Sequence, residues 1–179
     1  MNEMIRERFH HLRGLAWDIR AHLAGPQVKD QKLQNELSGM FAVTVSATYE
    51  GIVKQTLVDY AAGIHSKYKT HVENEFENFN AKITLDDLKS YSRKFGLSEW
   101  TGHQVKKNST TFHKILEEIR PTVERRFRAD PLLSYKNIHT WRNAYAHEGF
   151  TIATFKDVFD SHRVGQYVIV AFSNAFKIG

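Results

Sequence analysis

The chain has 179 residues, a length that fits one domain with a buried core. It contains no cysteine, which excludes a disulfide framework, a thiolate nucleophile and a cysteine-based zinc site, and which suits a cytoplasmic protein. A formal net charge of +5 and a pI near 9.4 favour a polyanionic partner, although this modest excess does not by itself select RNA.

The N-terminal segment, residues 1–25, is predicted to form an amphipathic helix or arm. Apolar residues recur at helical spacing over residues 2–24, and Gly25-Pro26 would end the helix. Charged side chains occur throughout this segment, so it cannot be the apolar region of a signal peptide. No apolar run in the chain approaches the length of a membrane span, and we therefore expect no membrane association.

The next helices are predicted over residues 30–62, with a wide apolar face, and over residues 67–79, with many charges. Thr84 and Asp87 have the spacing of a capping box, which predicts a helix that continues through Phe95. Residues 97–108 show no clear pattern.

The second half of the chain is also predicted to be helical. A helix begins near Thr110, and Pro121 is expected to break or restart it. Asp130-Pro131 is typical of a helix start and predicts a helix over residues 131–147. A last helix would follow Thr154. Its run of residues 167–172 has a strand-like composition, but no second candidate strand is present to pair with it. The sequence therefore predicts a single all-α bundle over residues 1–179.

The predicted helix after Pro131 ends with the sequence Trp-Arg-Asn-Ala-Tyr-Ala-His-Glu-Gly, which places Arg142 and His147 five positions apart. Arginine has a permanent charge in a planar fork that fits phosphate oxygens, and histidine exchanges its proton near neutral pH. Arg6 and His11 have the same spacing, so the spacing alone is weak evidence. The neighbouring polar and small residues distinguish the later pair and indicate a phosphodiester-cleaving site.

At these residues the chain resembles the HEPN superfamily, helical domains with an Arg, a following polar residue, often Asn, and a His four to six positions further on. Arg142, Asn143 and His147 fit this signature. The resemblance in pattern and architecture extends over about residues 30–176. It implies a metal-independent endoribonuclease of the toxin or antiviral-defence type that acts as a homodimer with a composite site.

The expected chemistry is attack of an RNA 2′-hydroxyl on the neighbouring phosphorus. His147 would transfer protons, Arg142 would stabilise the developing negative charge, and Asn143 would orient the arginine or the phosphate. Tyr145 would donate a hydrogen bond, stack on a base or lie in the dimer interface. Five positions along an ideal helix correspond to about 7.5 Å and a rotation of about 140° beyond one turn, so one chain makes a poor site and a twofold axis is favoured.

Glu50 and Lys54 form a Glu-x3-Lys element that some HEPN ribonucleases also have, and they are supporting candidates for the site. The alternative is an ordinary ion pair on a helix surface. A basic stretch supplies candidate RNA-backbone contacts, although such charges often form only a solvated surface. These candidates are Lys106, Lys107, Arg125, Arg126 and Arg128.

No spacing of histidines and carboxylates in the sequence is typical of a metal site, and no phosphate-binding glycine loop occurs, so neither metal nor cofactor is expected. The alternative function is a catalytically silent HEPN-like module for dimerisation or binding, which partners a nuclease or a nucleotidyltransferase. For the motif itself, the structural alternative is that Arg142 forms an ion pair with a neighbour and His147 satisfies the last carbonyls of the helix. The resemblance also implies an antitoxin or another defence protein as a partner.

Overall fold

The computed structural model describes residues 2–24, 31–77, 83–101 and 104–177, with the backbone alone for residues 76–77, 98–101 and 104–109. These ranges contain seven helices, so the prediction of an all-α fold is confirmed. The helices are α1 (Glu3–Leu23), α2 (Gln31–Ile64), α3 (Ser66–Glu77), α4 (Leu85–Lys94), α5 (Thr111–Phe127), α6 (Pro131–Glu148) and α7 (Phe155–Ala175). Two short strands, β1 (Ser98–Thr101) and β2 (Gln104–Thr110), pair antiparallel between α4 and α5.

Side-chain caps confirm the predicted starts of α4 and α6. Thr84 and Asp87 form a capping box, in which the Thr84 backbone N–H donates to Asp87 Oδ2 at 3.0 Å. The Asp130 carboxylate accepts a hydrogen bond from the backbone N–H of Leu132 at 2.8 Å, and Pro131 is the first residue of α6. These bonds satisfy backbone donors that a helix start otherwise leaves unpaired.

In residues 97–128 the structure contradicts one sequence prediction and adds one feature that was not predicted. The prediction that Pro121 breaks or restarts the helix is wrong, because α5 continues through it from Thr111 to Phe127. Proline costs one backbone hydrogen bond, but its fixed φ is close to the helical value, so the rest of the helix can persist around it. The hairpin of β1 and β2 lies in the segment where the sequence showed no clear pattern. A hairpin is hard to predict from the sequence because it depends on the pairing of two segments.

The first of two compact units contains residues 1–48 and 129–166, which include α1, α6 and the first parts of α2 and α7. Its core is aromatic. The centroid of the Phe41 ring lies 5.1 Å from that of Phe155 and 6.4 Å from that of the His162 imidazole. The centroid of the Phe9 ring lies 5.7 Å from that of the same imidazole. Burial, and after it the charge of Arg13, lower the pKa of His162 from 6.5 to about 4. His162 is therefore a neutral member of the core.

A close crossing of α6 and α7 also belongs to this first unit. A Cβ atom added at Gly165 of α7 would lie 2.9 Å from the backbone nitrogen of Tyr135 in α6. Only a residue without a side chain allows the two backbones to come so near. This crossing fixes α6, the helix that ends in the candidate motif.

The second unit contains residues 49–128 and 167–179, and its core is a separate aromatic cluster. Phe172 packs against Phe112 at 5.7 Å between ring centroids, and Phe176 packs against Phe95 at 5.7 Å. The strand-like run at residues 167–172 is helical in α7, as predicted. A single domain over residues 1–179 stays a prediction. In the described part of the chain, no helix combines the length and apolar character required to cross a bilayer.

Candidate active site

The buried face of α6 leads to Arg142 and Tyr145. Ser134, Tyr135 and Ile138 are buried on this face. Arg142 lies four positions beyond Ile138 and Tyr145 lies seven beyond it, so both continue the same face of the helix. Both are partly exposed, because here the core gives way to solvent.

Asn143 and His147 lie together on another face of α6, because they are four positions apart. Both are exposed, and His147 is in the last turn of the helix. The helix ends at Gly149, which has the left-handed conformation with φ of 74° and donates its N–H to the Tyr145 carbonyl at 3.0 Å. The imidazole is therefore accessible at a helix end.

A hydrogen bond between neighbouring side chains relates these two faces. The Arg142 guanidinium donates from Nη1 to Oδ1 of Asn143 at 3.0 Å. This bond draws the positive group from the edge of the core toward the face that His147 shares. The three motif residues therefore form one polar surface at the end of α6, with Asn143 between the other two.

Tyr145 fastens the end of α6 to α2. Its hydroxyl donates to Oε2 of Glu36 at 2.6 Å, and its ring covers Gly39, where an added Cβ would overlap the ring. The hydrogen bond to Glu36 raises the pKa of the Tyr145 phenol above its ordinary value, and burial adds to this effect. The phenol therefore stays protonated and acts as a donor. Sequence reasoning missed Glu36 and Gly39 because 109 positions separate Glu36 from Tyr145 and no local signal joins them.

Glu50 and Lys54 form an ion pair with each other in the second unit. Lys54 Nζ lies 3.0 Å from Glu50 Oε1, and both side chains are partly buried. The pKa of Tyr91 is raised by burial first, then by the charges of Asp87 and Glu50. Glu50 therefore lies in a charged environment that also includes Lys54 and the Tyr91 phenol.

The predicted RNA-contacting arginines gather at the C-terminal end of α5. Arg125, Arg126 and Arg128 are exposed. Arg126 lies over the neighbouring Phe127 ring, 5.2 Å from its centroid, and Arg128 ends the helix in the left-handed conformation with φ of 53°. The side chains of the other two candidates, Lys106 and Lys107, lie outside the described part of the chain.

Several large apolar side chains near the motif are exposed. Met40 follows Gly39 and is 56% exposed. Phe150 and Ile152, which come soon after the end of α6, are 51% and 88% exposed. Phe150 and Ile152 therefore leave two large apolar side chains open to solvent within four residues of the end of α6.

The two histidines of the first unit discussed above have opposite environments. His147 is exposed at a helix end, whereas His162 is buried among aromatic rings. Among the described residues, no group of three or more histidine, aspartate or glutamate side chains has an arrangement that could hold a metal ion.

The chain matches one protein-family model, described as RiboL-PSP-HEPN, over residues 15–177. This range includes all of α2 to α7 and the whole Arg142–His147 motif. No curated protein and no solved structure matches the chain. The family match confirms the resemblance to the HEPN superfamily that the motif indicated.

Proposed function

The chain belongs to the RiboL-PSP-HEPN family, and from this membership we propose that it is a metal-independent endoribonuclease of the toxin or antiviral-defence type. A HEPN-type domain suggests a nuclease-like or RNA-related function. The observation on which the finer proposal rests is the polar surface at the end of α6. There Asn143 accepts a hydrogen bond from the Arg142 guanidinium, and His147 is exposed one turn further along the same face.

The proposed reaction is an internal transfer within the RNA. The 2′-oxygen forms a bond to the adjacent phosphorus, and the bond from phosphorus to the 5′-oxygen of the next nucleotide breaks. A base takes the proton of the 2′-hydroxyl, and an acid gives a proton to the leaving 5′-oxygen. His147 supplies this proton transfer, which for a positioned histidine typically contributes about 10²- to 10⁴-fold. The products are a 2′,3′-cyclic phosphate and a 5′-hydroxyl, and DNA is spared because it has no 2′-hydroxyl.

Arg142 stabilises the negative charge that develops on the phosphorane oxygens. A guanidinium has five N–H donors, and the bond to Asn143 is made from Nη1 alone, so the fork remains able to donate to phosphate. Asn143 fixes the position of the guanidinium, and Tyr145 fixes the helix end through Glu36. Groups that are held before the reaction stabilise its transition state without the cost of reorganisation.

A homodimer completes the site in this proposal. The reaction uses both a base and an acid, and one chain presents a single His147 at the end of α6. A twofold axis that joins two such ends provides two histidines and two arginines in one cleft. The exposed side chains of Phe150 and Ile152, which directly follow the end of α6, support a second copy of the chain as the partner at this helix end.

The dimer is tested with Ile152→Glu. This substitution should dissociate the dimer in analytical ultracentrifugation and abolish RNA cleavage, because it places a charge in the apolar contact. Leu133→Glu is the matched control, since Leu133 is 58% exposed near the start of the same α6 and should tolerate the change. A monomeric Ile152→Glu protein that cleaves RNA at the full rate would refute the composite site.

Mixed Arg142→Ala and His147→Ala chains should regain some activity if heterodimers contain one intact set.

The central experiment compares purified wild type and His147→Ala on a pool of tRNA, rRNA and mRNA in EDTA, with identification of the product ends. Cleavage by the wild type alone, with cyclic phosphate ends, is the expected result. No cleavage by either folded, dimeric protein would instead favour the catalytically silent binding module, which partners a nuclease or a nucleotidyltransferase. In the proposed function the protein acts on RNA in the cytoplasm, and an antitoxin or another defence protein controls it.

A further inference from the structure

One exposed face of α1 presents a row of basic and aromatic side chains that the motif does not use. We call this row the α1 stripe. Its five members recur at intervals of four and three positions, and all are exposed. At 100° per residue they fall within an arc of about 80°, and the row extends about 21 Å along the helix axis. The stripe consists of Arg6, His10, Arg13, Trp17 and Arg20.

The arginines of the α1 stripe are available to an outside anion. Within the described residues, Arg6, Arg13 and Arg20 form no ion pair with a carboxylate. Other cations of the protein do so, as Lys156 does with Asp160 at 2.7 Å. Glu3, three positions before Arg6, borders the stripe in the first turn, where it favours the helix start, whereas Glu7 and Asp18 lie further round the helix. Three permanent positive charges therefore lie in a row, and none of them is ion-paired with a carboxylate of the residues that the structure describes.

Trp17 is the second, independent feature of the stripe. Its side chain is 60% exposed, whereas the neighbouring Phe9, Leu12 and Ala16 are buried and already supply the core face of α1. The Arg20 guanidinium lies 5.6 Å from the centroid of the Trp17 ring. A core role does not account for an indole in this position. An exposed aromatic ring between cations is what unpaired bases stack on.

We propose that the α1 stripe is a docking surface for single-stranded RNA, with arginines on successive phosphates and a base stacked on Trp17. The identity of the ligand rests on the proposed ribonuclease function. A single strand is favoured over a duplex because stacking on Trp17 requires an unpaired base. The surface thus binds the substrate strand beyond the nucleotides that are cut.

The arginine cluster at the end of α5 is a weaker candidate for this role. Arg125, Arg126 and Arg128 occupy about one turn, so they follow a strand over a much shorter distance. The aromatic ring beside them, Phe127, is partly buried and packs against Tyr167 at 5.8 Å. The α5 cluster therefore has charge without an open stacking surface.

The test measures binding of a fluorescent 12-nucleotide single-stranded RNA of mixed sequence by anisotropy, in a His147→Ala background so that the RNA stays intact. Replacement of Arg6, Arg13 and Arg20 together by Gln should weaken binding and reduce the slope of log K against log salt by about 2, since each single-strand phosphate contact contributes about 0.7. Trp17→Ala should weaken binding by about tenfold, and Trp17→Phe should restore most of the loss.

The matched control replaces Arg125, Arg126 and Arg128 by Gln, because it removes the same charge from the α5 cluster. The proposal requires that this control bind RNA more tightly than the α1 variant, with both proteins folded by circular dichroism. Equal weakening would mean that net charge alone attracts RNA, and the proposal would be wrong. Unchanged RNA binding by the α1 variant, in which Arg6, Arg13 and Arg20 are Gln, would also overturn the proposal. If that variant had instead lost binding to anionic lipid vesicles, the stripe would be assigned to a membrane surface.

The wild-type protein separates the two proposals. If the His147→Ala protein binds RNA through the stripe but the wild type does not cleave, the stripe stands as a binding surface and the proposed catalysis fails. If the wild type cleaves, and the stripe substitutions change neither RNA binding in the His147→Ala background nor cleavage when they are made in the wild-type chain, the catalysis stands and the docking surface fails.

Discussion

The C-terminal end of α6 and the middle of α2 present their polar side chains in opposite ways. In α2 the charges of Glu50 and Lys54 meet each other at 3.0 Å inside a continuous helix. In α6 the His147 side chain is exposed at the helix end, and Arg142 donates to a neutral amide rather than to a carboxylate. Charges that neutralise each other stabilise a helix, whereas groups that remain open to solvent can meet a ligand. This difference makes the end of α6 the stronger candidate for chemistry.

The largest effect that tests this comparison is expected from His147→Ala. Under the proposed function, the cleavage rate should fall about 10²- to 10⁴-fold, because a positioned histidine contributes that much through proton transfer. Thermal stability should not change measurably, since the side chain is exposed. Single-turnover cleavage and thermal melts of the same preparation measure both. A rate within twofold of the wild type would remove His147 from the chemistry.

Acid should lower the stability of the fold through His162. This effect of pH arises in the core of the first unit and not at the site at the end of α6. The folded pKa of about 4 lies below the ordinary 6.5, so the unfolded chain binds a proton first as the pH falls. The stability that depends on a neutral His162 is fully present above pH 6.5 and is lost as the pH falls toward 4. The loss amounts to about 3 kcal/mol in the free energy of unfolding. Urea unfolding of the wild type and His162→Leu at pH 8 and pH 5 should show the steeper loss in the wild type. Equal losses of stability in the two proteins would contradict His162 as the source of the acid sensitivity.

The contact of Tyr145 with α2 can be broken by Gly39→Ala. The added methyl group overlaps the Tyr145 ring, so we expect a loss of about 1–3 kcal/mol in stability and a lower cleavage rate as the helix end moves. Gly14→Ala is the matched control, because a Cβ at this helical position meets nothing within 4 Å. That control should gain up to about 1 kcal/mol from helix propensity. Urea unfolding and cleavage assays measure both variants, and equal behaviour of the two would mean that Tyr145 moves freely.

The smallest effect is expected in α2. Glu50→Gln should change stability by a few tenths of a kcal/mol, as is typical of an i,i+4 ion pair, and should leave cleavage within about twofold. Lys54→Gln should behave in the same way because it removes the same pair. A large loss of activity in folded Glu50→Gln, without a matching loss in Lys54→Gln, would instead support the predicted supporting role of Glu50 in the site.

Local signals in the sequence were sufficient for much of the fold. The caps at Thr84 and Asp130 depend on residues within three positions, so they can be read from the chain alone. The hairpin of β1 and β2 could not be predicted in this way, because its stability comes from pairing between segments. Pro121 misled the prediction because a proline lowers the stability of a helix without always ending it.

The same division applies to the candidate site. Arg142, Asn143 and His147 are close in sequence, so the motif was visible before the fold was known. The contact of Glu36 and Gly39 with Tyr145 joins distant parts of the chain and appears only when α2 lies against α6. Exposure was equally hidden, since the spacing in α1 does not say that Trp17 is open to solvent while Phe9 is buried.

From the close contact between Gly39 and Tyr145 we expect substitutions at these two positions to depend on each other. Because the ring fills the space that a side chain at position 39 would occupy, the two codons cannot drift independently. A library that randomises both should return folded clones in which one position is small whenever the other is large. Such covariation would preserve the packing of α6 on α2 at these two positions, whereas the hydrogen bond to Glu36 requires Tyr145 itself.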